Sequence, residues 1–231
     1  MTLPCPAPSS PSSALDAIDA ACEAVVIGTS AGGVEALSLL LPRLGRHFAP
    51  AIVIVLHLPP DGQSEIARLF AMRCVLPVLE ASDREPIRGG TVYFAPPGYH
   101  LLVNADRTCA LSVDEAVNFS RPSIDVMFES AAWAYGNRLL GILLTGASAD
   151  GAAGMAAIRK AGGTTWAQAP AEARATAMPL AAIERGVVDA VLTLEEIAQR
   201  FERQSQADAA VAGRQAGASA AAVSPAHTDH L

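Results

Sequence analysis

The stretch AIVIVLHLPP, residues 51–60, decides the architecture. Six apolar residues run together without a polar break. A strand with one wet face alternates apolar and polar residues, whereas a strand covered on both faces does not. Residues 140–145, LGILLT, read the same way, and 24–28, AVVIG, is a third short apolar run. Further strands are expected at 77–80, 91–95, 100–103, 109–113, 164–168 and 188–192. Helical patterns fill most of the gaps, at 34–44, 64–74, 123–135, 151–162, 177–186 and 194–204. Strand–helix alternation around a buried sheet gives an α/β fold of the doubly wound kind. The expected sheet is mostly parallel with helices on both faces. Residues 91–113 break the alternation and read as a small antiparallel hairpin excursion, with turns at Pro96–Gly98 and Asn104–Asp106.

Composition narrows the class. The 231 residues are 51% hydrophobic and 17% charged, enough apolar material for one sizeable domain. The net charge is −7 and no run of Lys or Arg occurs. Nucleic acid is therefore not expected as a partner, because phosphate binding needs clustered cations. Cys5, Cys22, Cys74 and Cys109 form no CxxC pair and have no His at ligand spacing, so neither a metal site nor a disulfide framework is expected. No apolar run reaches the ~18–20 residues of a membrane span. The N-terminus lacks a basic start and an apolar h-region, as a signal peptide would have. A protein that is not membrane-inserted, located in the cytoplasm, is the expectation. Residues 1–23, rich in Pro and Ser at their start, and 204–231, rich in Ala, Gln, Gly and Ser, are expected to be disordered. They flank a compact domain over 24–203.

Ligands of open α/β sheets bind beyond the carboxyl ends of the strands. Three such ends carry chemistry. The first apolar run leads to Ser30, the second to His57, and LGILLT leads through GASAD to Asp150. Gly28-Thr29-Ser30-Ala31-Gly32 fits GxSxG, in which a tight strand-to-helix turn exposes the serine. Ser30 could equally cap the following helix or belong to a phosphate cradle. A dinucleotide site is disfavoured: Ser30 stands where a second glycine is needed, and AIVIVLH carries no acid for a ribose. No cofactor is expected. Asp150 could cap the helix after it or orient an imidazole. His100, after PPGY, is a candidate second site residue.

The segments IGTSAGGVEAL (27–37), IVLHLPP (54–60), FAPPGYHLLV (94–103), SRPSIDVMFESAA (120–132) and GILLTGASADGAAGM (141–155) resemble the catalytic domain of the CheB-type chemotaxis protein-glutamate methylesterases. With Gln168, Ala175-Thr176 and Met178-Pro179 they span about 27–190. The resemblance implies a Ser30–His57–Asp150 triad, with Ser30 Oγ near His57 Nε2 and Asp150 on Nδ1. It implies an oxyanion donor at the Ala147 N–H, and elbow geometry adds the Ala31 N–H. Thr29, Gln168, Met178 and His100 are the residues expected in the substrate cleft. The implied reaction is removal of glutamate methyl esters, and deamidation of glutamines, on cytoplasmic helices of chemoreceptors. A catalytically degenerate receptor-binding adaptor of the same fold is the alternative. Only 23 residues precede the first strand, too few for the receiver domain of many relatives. Control by a separate regulatory protein, or an open cleft, is therefore expected, in a monomer.

Overall fold

The computed structural model describes residues 18–58 and 65–221, with side chains to residue 214. Among the described residues nine strands form, each overlapping an expected one. They are β1 (Ala24–Thr29), β2 (Ala51–Leu56), β3 (Val78–Glu80), β4 (Val92–Phe94), β5 (His100–Val103), β6 (Cys109–Ser112), β7 (Leu139–Leu143), β8 (Thr164–Gln168) and β9 (Ala190–Leu192). The helices are α1 (Gly33–Leu40), α2 (Ile66–Ala71), α3 (Ile124–Tyr135), α4 (Ala152–Lys160), α5 (Ala177–Glu184) and α6 (Leu194–Ala221). Pro42 does not end α1 abruptly; a 3-10 turn over Leu41–Arg43 carries it one step further.

Seven strands make one sheet in the order β3-β4-β2-β1-β7-β8-β9, and every pairing in it is parallel. β5 and β6 pair antiparallel outside it, as the expected hairpin. Both faces of β1, β2 and β7 are buried, which is why their sequences do not alternate.

Side chains still alternate between faces, because successive Cβ atoms point to opposite sides. Val25, Ile27, Ile52 and Ile54 pack with Leu37 of α1, Phe70 of α2 and Phe201 of α6. Val26, Val53 and Val55 pack on the other face with Phe128 of α3, Met155 of α4 and Met178 of α5. Two cores thus clamp one sheet. β1 lies between β2, which comes soon after it in the chain, and β7, which does not. This is the switch point where strand order reverses, and a crevice opens beyond the strand ends there.

The boundaries differ from expectation at both ends. Ile18 is buried in the first core, so the ordered chain begins before residue 24. The expected disorder over 1–17 and 222–231 lies outside the described residues. α6 runs on through residue 221 rather than stopping near 204. Ser205 Oγ accepts from the Gly45 N–H at 3.0 Å and donates to Phe201 O, and Asp208 accepts from the Ala49 N–H at 2.8 Å. Phe201 meets Phe48 edge-on at 5.5 Å between ring centroids. An alanine-rich polar composition suits a helix as well as a coil. These contacts decide for the helix.

Gly28 is the tightest point of β1. A Cβ there would meet Ile124 Cγ2 at 2.3 Å and Leu143 Cδ1 at 3.0 Å. Ile124 is β-branched and starts α3, so it cannot swing aside cheaply. Gly28→Ala should destabilise the fold by about 1–3 kcal/mol through overpacking. Chemical denaturation measures this, and an unchanged midpoint would contradict the packing described.

Candidate active site

Backbone bonds fix the crevice first. The His57 N–H donates to Thr29 O, and the Ser30 N–H donates to Thr145 O, each at 3.0 Å. The ends of β2, β1 and β7 are therefore stitched side by side one residue beyond the sheet. Gly32 then adopts φ 86 and becomes the N-cap of α1 without any side-chain cap bond. Ser30 does not cap that helix. Among the described residues its hydroxyl has no hydrogen-bond partner. A triad serine is activated by a hydrogen bond to its base. That expected contact of Ser30 Oγ with His57 is not made here, although Ser30 is partly exposed.

The structure joins His57 to Asp150 directly: Nε2 lies 3.0 Å from Oδ2. This reverses the expected ring orientation, in which Nδ1 faced the carboxylate. The reason is where Asp150 is held. The cap role open to it in sequence was on the helix after it, but it caps α3 instead. Its Oδ2 accepts from the Ile124 N–H at 2.7 Å, and its Oδ1 accepts from the Asp125 N–H at 3.1 Å and the Ser123 hydroxyl at 2.9 Å. The carboxylate sits beyond the tip of the imidazole, where Nε2 reaches it. Nδ1 faces Ser120 Oγ at 3.5 Å, a contact at the edge of hydrogen-bond range. With the Nε2 proton committed to Asp150, Nδ1 is the ring atom free to accept a proton.

Asp150 is wholly buried and ionised. Burying a carboxylate costs several kcal/mol. The donors on it are His57, Asn118, Ser123 and two α3 amides. At about 1.5–3 kcal/mol per bond to a charged group, together they outweigh that cost. Burial alone would raise its pKa; the bonds from His57, Asn118, Ile124 and Asp125 pull it down to about 2. α4 is capped in return from α3: Asp125 Oδ1 accepts from the Gly151 N–H at 2.9 Å and the Gly154 N–H at 2.7 Å. Burial, and then the Asp150 charge, raise Asp125 above its usual value against the pull of those amides.

The residues expected to line the cleft fare differently. His100 is 2% exposed, accepts the Ser123 N–H on Nδ1 at 3.1 Å, and meets Glu115 O through Nε2 at 3.0 Å. It orients the start of α3 rather than touching solvent. Thr29 is buried and donates to Thr145 O. Gln168 is spent on the Thr145 N–H, which it accepts at 2.8 Å, although it borders a cavity of about 200 Å³ beside Gly32 and Arg174. Met178 is buried against Gly146. Thr29, Gln168 and Met178 brace the loop after β7, and Gln168 also borders that cavity. Ala31 and Ala147 are exposed, and among the described residues nothing accepts from either N–H. Both remain available as oxyanion donors.

Sequence reasoning did not single out the residues that surround the exposed edge of His57. A cavity of about 320 Å³ adjoins His57 and is lined by Leu58, Gly98, Phe119, Ser120 and Pro122. Phe119 is fully exposed at its rim, and Asn118 and Phe119 both have left-handed backbones, with φ 53 and 60. The available signals were an Asn, which tolerates that conformation, and an Asp placed among the apolar residues of α3.

Because Asp150 binds its proton less readily folded than unfolded, it stabilises the fold above its unfolded pKa, near 3.8. That contribution is lost as pH falls toward about 2. Asp150→Asn should therefore cost on the order of 2 kcal/mol at pH 7. The deficit should shrink between pH 4 and pH 2 as the wild-type carboxylate protonates. Urea denaturation across that range checks the sign; a deficit independent of pH would contradict it.

The sequence profile of the CheB methylesterase family matches residues 25–201. A Leptospira interrogans protein provisionally named protein-glutamate methylesterase/protein-glutamine glutaminase is 47% identical over 184 residues, covering 80% of this chain and 95% of its own. A Symbiobacterium thermophilum protein of that name is 38% identical over 78% of this chain but 49% of its own. The crystal structure of the Thermotoga maritima CheB methylesterase catalytic domain superposes with a TM-score of 0.76 at 32% identity, over 79% of this chain and 98% of that one. A serine turn, a histidine–aspartate pair at the switch point and these likenesses converge: the chain belongs to the CheB methylesterase family.

Proposed function

We infer that this chain is a serine hydrolase that cleaves glutamate methyl esters, and deamidates glutamines, on the cytoplasmic helices of chemoreceptors. The observation that carries this reading is the His57–Asp150 bond at the strand ends where Ser30 also stands, held there by the His57 N–H on Thr29 O and the Ser30 N–H on Thr145 O. The relatives' names supply the substrate: both reactions are acyl transfer from one side-chain carbonyl to water.

In the first half-reaction Ser30 Oγ attacks that carbonyl carbon, and His57 Nδ1 takes the hydroxyl proton. The imidazolium so formed keeps its Nε2–H on Asp150, whose ionised state offsets the new charge. The Ala31 and Ala147 amides hold the oxyanion. Its collapse breaks the bond to the methoxy or amino group, which takes the proton from Nδ1 and leaves as methanol or ammonia. In the second half-reaction water gives its proton to Nδ1 and attacks the acyl-serine. Glutamate is released, and Ser30 regains its proton. Ser120 must yield Nδ1 during each transfer, and a 3.5 Å contact is weak enough to yield.

Ser30→Ala should reduce methanol release from methylated receptor membranes by at least about 10³-fold. His57→Gln should cost about as much, and the double variant little more, because the residues act as a unit. Methanol release by Ser30→Ala at the wild-type rate would overturn the reading.

A further inference from the structure

Asn118 stands in the loop before α3, outside the Ser–His–Asp set. Its amide nitrogen donates to Asp150 Oδ1 at 2.9 Å and to Asp125 Oδ2 at 2.8 Å. Both protons of one NH₂ group are thereby spent on two buried carboxylates. Those carboxylates each cap the other's helix, so they stand close together and repel. We propose that Asn118 is a positioning residue for the His57–Asp150 pair: by bridging Asp150 to Asp125 it fixes Oδ1 and so leaves Oδ2 facing the imidazole.

The argument is one of saturation. A carboxylate has about four lone-pair sites. Oδ1 of Asp150 is taken by Asn118, Ser123 and the Asp125 N–H, which leaves the Oδ2 edge for the Ile124 N–H and His57. Without the Asn118 amide, Oδ1 loses a donor and the two carboxylates lose the only neutral bridge between them among the described residues. The Ser123 hydroxyl and the Asp125 and Ile124 amides still hold Asp150, but the two carboxylates then repel each other unbridged, and the resulting shift of Asp150 loosens the Nε2 contact. An amide suits this place because it donates twice and carries no charge of its own. Asn118 also sits at φ 53, where Asn is tolerated simply as a turn residue. The variants must separate that role from the proposed one.

Glycine adopts the same backbone without strain. Asn118→Gly therefore keeps the turn and removes only the two donors. The inference rests on the esterase reading for its kinetic effect, but not for its structural one. In Asn118→Gly, kcat for methanol release should fall about 10- to 100-fold while KM changes less than about 2-fold. Asn118→Asp places a third carboxylate against Asp125 and Asp150. The other titratable groups facing this cluster are His57 from the end of β2, Glu129 one turn along α3, and His100 of β5 through the Ser123 amide. Arg121 points away, to the carbonyls of Val113 and Asp114. A protonated aspartate donates only once, so the variant can hold Asp150 Oδ1 only while its own carboxyl keeps a proton. Its rate should decline as pH rises, across a range where the wild-type rate is flat.

Proton NMR on the Ser30→Ala background reads the bond independently of turnover. The low-field Nε2–H signal, assigned by its loss in His57→Gln, should broaden or vanish on adding Asn118→Gly. Wild-type kcat in Asn118→Gly, an unchanged NMR signal, or a pH profile for Asn118→Asp parallel to wild type would each overturn the proposal. Full methanol release by Ser30→Ala would instead refute the esterase reading, and the NMR result would still decide the role of Asn118.

Discussion

The site depends on an exchange of carboxylates between two helices. Asp150, just before α4, takes the first amides of α3; Asp125, at the start of α3, takes the first amides of α4. Helix N-termini carry unsatisfied donors and partial positive charge, so each buried anion satisfies what the other helix leaves open. Neither helix can shift without exposing the other's cap. The exchange also explains why Asp150 can remain ionised without contact with solvent. A carboxylate serving only His57 would face its desolvation cost nearly alone.

Much of the fold could be read from the apolar runs. β1, β2 and β7 announced themselves by lacking alternation, and their burial on both faces is the physical reason. Ser30, His57 and Asp150 lie just past the ends of buried strands, and such ends can be located in a sequence without side-chain geometry. What failed was everything that depends on direction. Thr29, His100 and Met178 are near the crevice in sequence logic, but their side chains are buried against neighbouring segments, while Gln168 both holds the Thr145 N–H and borders a cavity. The orientation of the His57 ring was equally hidden. It results from Asp150 sitting on α3, a contact between segments 26 residues apart that no local pattern records.

α6 gives the opposite lesson. Its later residues have the composition of a flexible tail, and composition alone does not distinguish a coil from a helix with something to lean on. Here the support is the connection between α1 and β2, where the Gly45 and Ala49 N–H groups find acceptors on Ser205 and Asp208. The helix and the loop satisfy each other, on the face of the sheet remote from α3 and α4.

The position of β1 has a consequence for how the molecule comes into being. Its partner on one side, β2, is close in the chain, but the bond from Thr29 to Thr145 joins residues 116 apart in sequence. Parallel pairings over such distances form late, because a long loop must close before any contact rewards it. On a ribosome, the serine turn and the histidine emerge long before the aspartate that orients them. The nascent chain thus presents Ser30 and His57 at the ends of two paired strands before Asp150 is made, and the His57–Asp150 bond forms only once β7 docks beside β1.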